Sequence, residues 1–122
     1  TEKHMTKPEI QKKPFIVPTN DNKLIEEHFG KASLGGKISI AHMVAPSNWS
    51  EPFQKPNFDE HTVIIKGKLK IIVDNDHFEI CPGESILVHK GSRVQYSNPY
   101  NEPAEYWSVC NPAFTIESVN RE

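Results

Sequence analysis

The chain has 122 residues, 36% of them hydrophobic and 25% charged, with a net charge of −2. That length suits one domain with a modest core. The charge balance excludes the basic footprint that nucleic acid demands and gives a membrane surface nothing to attract.

No apolar stretch approaches the roughly 18 residues of a membrane span. No basic segment followed by an apolar one opens the chain, so no secretory leader is expected and the expected place is the cytoplasm. Cys81 and Cys110 lie far apart and outside any metal-type spacing. In a reducing compartment they read as free thiols rather than a disulfide. Ten prolines punctuate the chain, which suits short strands joined by turns.

In chain order, residues 1–14 are polar and lysine-rich and are expected to form a flexible arm, with a single domain over 15–122. "PFIVPT" predicts a short strand broken by Pro18. "NDNKLIEEHFG" offers Asn20 or Asp21 as an N-cap and Gly30 as a stop, so a short helix is expected there, with His28 on its surface. From Gly36 the pattern is strand-like. "KISIAHMV", "HTVIIKG", "KLKIIVD", "HFEICPG", "ESILVHKG", "RVQYSN" and "AEYWSVCNP" follow one another. Turn residues separate them at intervals of roughly 8 to 12 residues. "DNDH" predicts a tight hairpin, because Asn and Asp tolerate the left-handed conformation. The fold class expected is all-β, a sandwich or barrel with at most one short helix.

Two of these stretches carry a further signal. Gly83 is followed by five residues, then His89-Lys90-Gly91, and Asn98 stands seven residues after Gly91; Glu60 is followed by six residues and then Gly67. The pair resembles the signature motifs of the cupin superfamily, G-x5-H-x-H-x(3,4)-E-x6-G and G-x5-P-x-G-x2-H-x3-N, and the resemblance covers roughly residues 37–114. It implies a double-stranded β-helix, a small jelly-roll barrel with its site inside the open end, and a homodimer. "FDEHTVIIKGKLKI" and "HKGSRVQYSNP" are most similar to the ethanolamine-utilisation Q-type cupins and the unassigned small cupins around them.

Against those motifs, Gln54 and Pro56, or Phe53 and Lys55, stand where two histidines belong, and Val94 stands at the third. Of the usual four metal ligands only Glu60 is kept. One carboxylate and an amide make a poor transition-metal site, so no cofactor is expected. The alternative is a single divalent transition metal held by displaced ligands such as His42, Glu51 or His89.

If Glu60 points into the barrel, alternation takes Thr62 and Ile64 in with it and turns His61, Val63 and Ile65 out. Likewise Val94 and Tyr96 point in. Glu60 and His42 are the expected catalytic pair, although a histidine amid apolar residues also reads as a buried, hydrogen-bonded one. Gln54, Tyr96, Trp49, Glu51, His89 and Tyr106 (or Trp107) are the expected ligand-binding residues. The function expected is binding of a small polar molecule, with metal-independent isomerisation, epimerisation or elimination on a carbohydrate-like or carbonyl substrate. A metal-dependent oxygenase or lyase, and a non-catalytic metabolite-binding or assembly module, are the alternatives.

Overall fold

The computed structural model describes residues 7–122. The front of the expected arm, residues 1–6, therefore lies outside the described residues. Residues 7–14 carry no regular secondary structure, and Gln11 Nε2 donates to the His28 carbonyl at 2.9 Å.

Ten strands follow: β1 (Phe15–Ile16), β2 (Leu24–Phe29), β3 (Ser39–Ala45), β4 (Trp49–Ser50), β5 (Asp59–Lys66), β6 (Leu69–Val73), β7 (Asp76–Ile80), β8 (Ser85–Val88), β9 (Val94–Asn98) and β10 (Ala104–Asn111). One short helix, α1 (Ile116–Val119), comes last. The strands form a six-stranded sheet in the order β1-β2-β3-β10-β5-β8 and a four-stranded sheet in the order β4-β9-β6-β7. Every pairing between the strands is antiparallel.

The period-two pattern places the core. On β5, Thr62 and Ile64 are buried while His61, Val63 and Ile65 are exposed. On β9, Val94, Tyr96 and Asn98 are buried; on β10, Ala104, Tyr106, Ser108 and Cys110. These inward faces meet between the sheets around Ile64, Leu69, Ile71, Val94 and Tyr106. The β6–β7 hairpin turns on Asp74 and Asn75, at φ 47° and 75°, the pair of left-handed residues a two-residue turn between twisted strands requires.

Two local expectations are corrected. "LIEEHF" is strand β2 rather than part of a helix. Its capping signals are overridden by pairing with β3 in a register that sets Leu24 against Val44 and Glu26 against His42. The one helix among the described residues stands instead at the C-terminal end, where Thr115 and Ser118 form a capping box. The proline-bracketed "PSNWSEPFQKP" reads as a loop in sequence, yet its Trp49–Ser50 pairs briefly with β9.

Both motifs have mechanical reasons. Gly67 sits at φ 70°, and a Cβ there would overlap the Pro103 carbonyl oxygen, so only glycine lets the two loops close. Asn98 is fully buried. Its Nδ2 donates to the carbonyls of Ala45 and Pro46, both at 3.2 Å, and of Glu102 at 2.8 Å, while its Oδ1 accepts from the Tyr100 amide at 3.1 Å. One amide thus ties the β3–β4 turn to the β9–β10 loop. Replacing Asn98 by the near-isosteric Leu strands those buried backbone groups and should lower the unfolding free energy by about 3 kcal/mol in urea titrations. A loss under about 1 kcal/mol would mean that the clamp is dispensable.

Candidate functional site

A cavity of about 70 Å³ remains between the sheets, several times the space one water needs. Its apolar walls come from Ala41 and Met43 of β3, Phe58 and Phe114; its polar walls from Lys23, Glu51, Gln54, Glu60, Tyr96, Tyr106 and Ser108. Strands from both sheets and the loops before β2, after β4 and after β10 all contribute.

Lys23 is the interior cation. From the residue just before β2 into the strand, the alternation Lys23, Ile25, Glu27 turns all three toward the cavity. The ammonium lies over the ring of Trp49, 4.3 Å from its centroid, and 5.3 Å from that of Tyr106. Trp49 is held in turn by its Nε1–H, which donates to Asp21 Oδ2 at 2.7 Å. Burial works against the lysine's charge, but the Tyr106 oxygen and the Glu51 and Glu60 carboxylates outweigh it, so its pKa stands above the ordinary value.

Three carboxyl groups, Glu27, Glu51 and Glu60, share this interior, and Glu27 is engaged by Ser33 Oγ and the Ala32 amide. Glu51 is only 8% exposed. Burial lifts its pKa to about 7, Lys23 and Arg121 pull against that rise, and the Glu60 and Asp21 charges add to it. Arg121 Nη2 lies 3.7 Å from Glu51 Oε2, and Gln54 Nε2 reaches its other oxygen at 3.4 Å. Glu60 accepts from Ser108 Oγ at 2.5 Å, the short distance of a charge-assisted bond. Near neutral pH Glu51 can therefore give or take a proton, the property a general acid–base group needs.

Three further polar atoms on these walls have no partner: the hydroxyls of Tyr96 and Tyr106 and Gln54 Oε1. Burial raises both phenols, Tyr106 to about 12 and Tyr96 well above its ordinary value. Both remain neutral donors.

Of the expected site residues, the structure brings together Glu60, Gln54, Tyr96, Trp49, Glu51 and Tyr106 around this space. It does not bring His42 there. Ser39, Ala41 and Met43 are the inward residues of β3, so His42 stands on the outer face of the six-stranded sheet and cannot exchange a proton with Glu60. It bridges neighbouring strands instead, with Nδ1 2.8 Å from Glu26 Oε1 and Nε2 2.7 Å from Glu105 Oε2. Trp107 lies outside beside it, ring centroids 5.2 Å apart. His89 is exposed in the turn after β8, where its carbonyl accepts from the Ser92 amide at 3.2 Å. Neither His42 nor His89 lines the cavity. Lys23 is the residue the sequence reading misses; its signal is the inward alternation that the helix reading hides.

The sequence model of the family described as ethanolamine utilisation protein EutQ matches residues 53–114, just over half of the chain. The chain belongs to the EutQ family. It is 42% identical to the endoribonuclease YbeY of Myxococcus xanthus over 112 residues, 91% of this chain and 38% of that protein. It is 39% identical to the acetate kinase EutQ of Clostridioides difficile over 57 residues, 47% of this chain and 35% of that protein. The chain thus spans little more than a third of the length of either curated relative. Among solved structures, a Cupin 2 conserved barrel domain protein from Salinispora arenicola superposes with a TM-score of 0.69 at 15% identity, covering 92% of this chain and 94% of that one. That likeness shows the cupin fold. No helix among the described residues is long and apolar enough to cross a membrane.

The cupin fold raises the question of a metal. In this EutQ-family chain no imidazole lines the cavity. Val94, at the third histidine position, is buried core whose backbone pairs with that of Gln54. Among the described residues no three His, Cys, Asp or Glu side chains are grouped to hold an ion. The lining offers the Glu27, Glu51 and Glu60 carboxyl groups, the Gln54 amide and the Cys110 thiol without grouping them around one point, and a lysine ammonium shares the space as a competing cation. This donor set does not fit the first-row metals of the superfamily.

Outside the barrel, burial works against a charge on His42, but the hydrogen bonds and charges of Glu105 and Glu26 outweigh it and raise its pKa above 6.5. Both ring nitrogens can donate to the two carboxylates only in the imidazolium form. Its stabilising contribution is therefore complete below the unfolded value and fades as pH climbs through the folded one. His42→Gln should cost more stability at pH 6 than at pH 9 in matched urea titrations. An equal loss at both would contradict the raised pKa.

Proposed function

We propose that this chain binds a small polar molecule in its barrel and carries out acid–base chemistry on it with its own carboxyl groups. The reactions are isomerisation, epimerisation or elimination at a carbon next to a carbonyl. The observation that carries this reading is Glu51: buried, lifted to about 7, and lining the same cavity as Glu60. An acid–base group works best when its pKa lies near the working pH.

In this scheme Glu51 takes a proton from the carbon beside the carbonyl, and the electron pair moves onto the carbonyl oxygen. Tyr96, neutral and without a partner, donates to that oxygen and so stabilises the charge it gains. Return of the proton by Glu51 or Glu60 completes the turnover. Delivery to the former carbonyl carbon, as the neighbouring hydroxyl passes its proton to the oxygen that gained the charge, isomerises; delivery to the opposite face epimerises; and loss of a leaving group one carbon further on eliminates. The apolar walls keep bulk water from quenching the intermediate.

The same reading includes a second copy of the chain as partner. The outer face of the six-stranded sheet exposes Val63, Ile65 and Leu87 beside Trp107 and Val109, an apolar area that a dimer would cover. Light scattering should give a dimer mass that Leu87→Asp reduces to a monomer. A monomer mass for the unaltered protein would remove the partner.

Small hydroxyaldehydes, hydroxyketones and hydroxy or oxo acids incubated with the protein in D2O should reveal the substrate by deuterium entering the carbon beside the carbonyl, read by proton NMR. Glu51→Gln should slow that exchange by about 10²- to 10⁴-fold, and His42→Gln should leave it within a few-fold. Exchange that survives Glu51→Gln would sink the assignment.

A further inference from the structure

The barrel interior opens into a second, larger space. A groove of about 520 Å³, the volume of an ordinary ligand site, runs between the loop before β2 and the segment around α1. Lys23, Glu51, Phe114 and Arg121 line both the groove and the inner cavity, so the two are continuous. Their walls differ. Most polar groups of the groove already have partners. Thr19 Oγ1 donates to the Lys23 carbonyl at 2.7 Å, and Asp21 accepts from the Lys23 amide at 3.2 Å and from Trp49 Nε1–H at 2.7 Å. Arg121 lies against Glu51. What remains is apolar: Val17, Pro18, Phe114 and Ile116, the last of them 83% exposed although it lines the groove. An apolar group that displaces water from such walls gains free energy.

The inner cavity makes a different demand. Among the described residues, the Tyr96 and Tyr106 hydroxyls and Gln54 Oε1 are buried without partners. The hydroxyls are donors in need of an acceptor, and the amide oxygen is an acceptor in need of a donor. A carbonyl and a hydroxyl on adjacent carbons supply both, the carbonyl oxygen to the tyrosines and the hydroxyl to Gln54. Charge sets a further condition. Glu27, Glu51 and Glu60 face the single ammonium of Lys23, and Arg121 is already beside Glu51. No interior cation is left over for an anionic ligand, so the molecule that fits is neutral.

We infer that the substrate is a neutral hydroxyketone with an apolar tail, its hydroxymethyl ketone end in the inner cavity and its alkyl chain in the groove along Val17, Phe114 and Ile116. This rests on the proposed function and names its substrate class. With the carbonyl oxygen at Tyr96, the hydroxymethyl carbon is the one that Glu51 deprotonates, and Glu51 acts in its ionised form as that function requires. The inner cavity, about 70 Å³, takes the reacting end and little more. A longer molecule therefore extends through the groove. Apolar contact with its remote part holds the reacting end in place and raises kcat/KM. A hydroxylated tail would give up water for walls that offer it no hydrogen bonds.

Deuterium entry at the hydroxymethyl carbon in D2O, read by proton NMR with the protein-free rate subtracted, tests this. Hydroxyacetone carries the reacting end alone, 1-hydroxy-2-heptanone adds a chain of methylenes, and erythrulose adds a hydroxylated tail. Each methylene that the groove covers should raise kcat/KM about two- to fourfold, so 1-hydroxy-2-heptanone should exceed both other compounds by about tenfold or more. Ile116→Asp places a charge on the groove wall at an exposed first helical position, where an acid suits the fold. It should cut the ratio of 1-hydroxy-2-heptanone to hydroxyacetone several-fold, and Val17→Ser should cut it in the same direction. Equal rates for those two ketones, faster exchange into erythrulose, or a ratio that survives both substitutions would overturn the apolar tail and leave the wider reading intact. Exchange into an oxo acid such as pyruvate, but into none of these three, would likewise overturn the inference alone. Exchange into none of the four would overturn both.

Discussion

One ammonium and three carboxyl groups are enclosed between two β-sheets, and the chemistry of the cavity follows from that enclosure. In water Lys23, Glu51 and Glu60 would be unremarkable surface residues. Between the sheets the charged forms lose their hydration, and only neighbours on the walls can replace it. Glu60 has Ser108 for this. Lys23 has the faces of Trp49 and Tyr106 and the field of the carboxylates. Glu51 has less: a distant Arg121, a long contact from Gln54, and the ammonium of Lys23. Burial therefore dominates at Glu51 and brings its titration to neutrality.

The rest of the fold keeps these groups in place. Glu60, Tyr96, Tyr106 and Ser108 project from strands whose pairing fixes their direction, so their positions vary little. Lys23 and Glu51 come from connecting segments and need struts. Asp21 braces Trp49, and Trp49 backs Lys23. The C-terminal end closes over the cavity: the Phe114 amide donates to Ser39 Oγ at 3.0 Å, and Lys55 and Asn57 bond through their amides to the carbonyls of Asn120 and Ser118. Asn98 and Gly67 secure loops at the other side of the barrel, away from the chemistry. Their motif status reflects closure of the fold.

The fold was readable because strand alternation and turn chemistry are local signals. "HTVIIKG", "RVQYSN" and "AEYWSVCN" each bury every second residue, as their patterns imply. The site was less readable for three physical reasons. Lys23 precedes a segment whose Asn, Asp and Gly punctuation imitates helix caps, and only the partner strand β3 decides between helix and strand. The phase of β3 is ambiguous in sequence, since Ile38, Ile40 and His42 look as fit for an interior as Ser39, Ala41 and Met43. The apolar set went outward because the outer face holds the Glu26–His42–Glu105 bridge and Trp107. The small and polar set went inward because a cavity was left there. Last, nothing local to "SEPFQ" says that Glu51 is buried, since its burial depends on segments distant in the chain.

The account stands on the ionisation of one side chain. Carbon-13 NMR of protein labelled at the glutamate side-chain carboxyl carbons, assigned through Glu51→Gln and titrated from pH 3 to pH 9, reads it directly. A Glu51 resonance that moves with a midpoint near 7 is the result expected from its burial beside Lys23. A midpoint near 4.5, the ordinary value for a glutamate in water, would show that the interior is hydrated and that Glu51 is not the group that moves the proton.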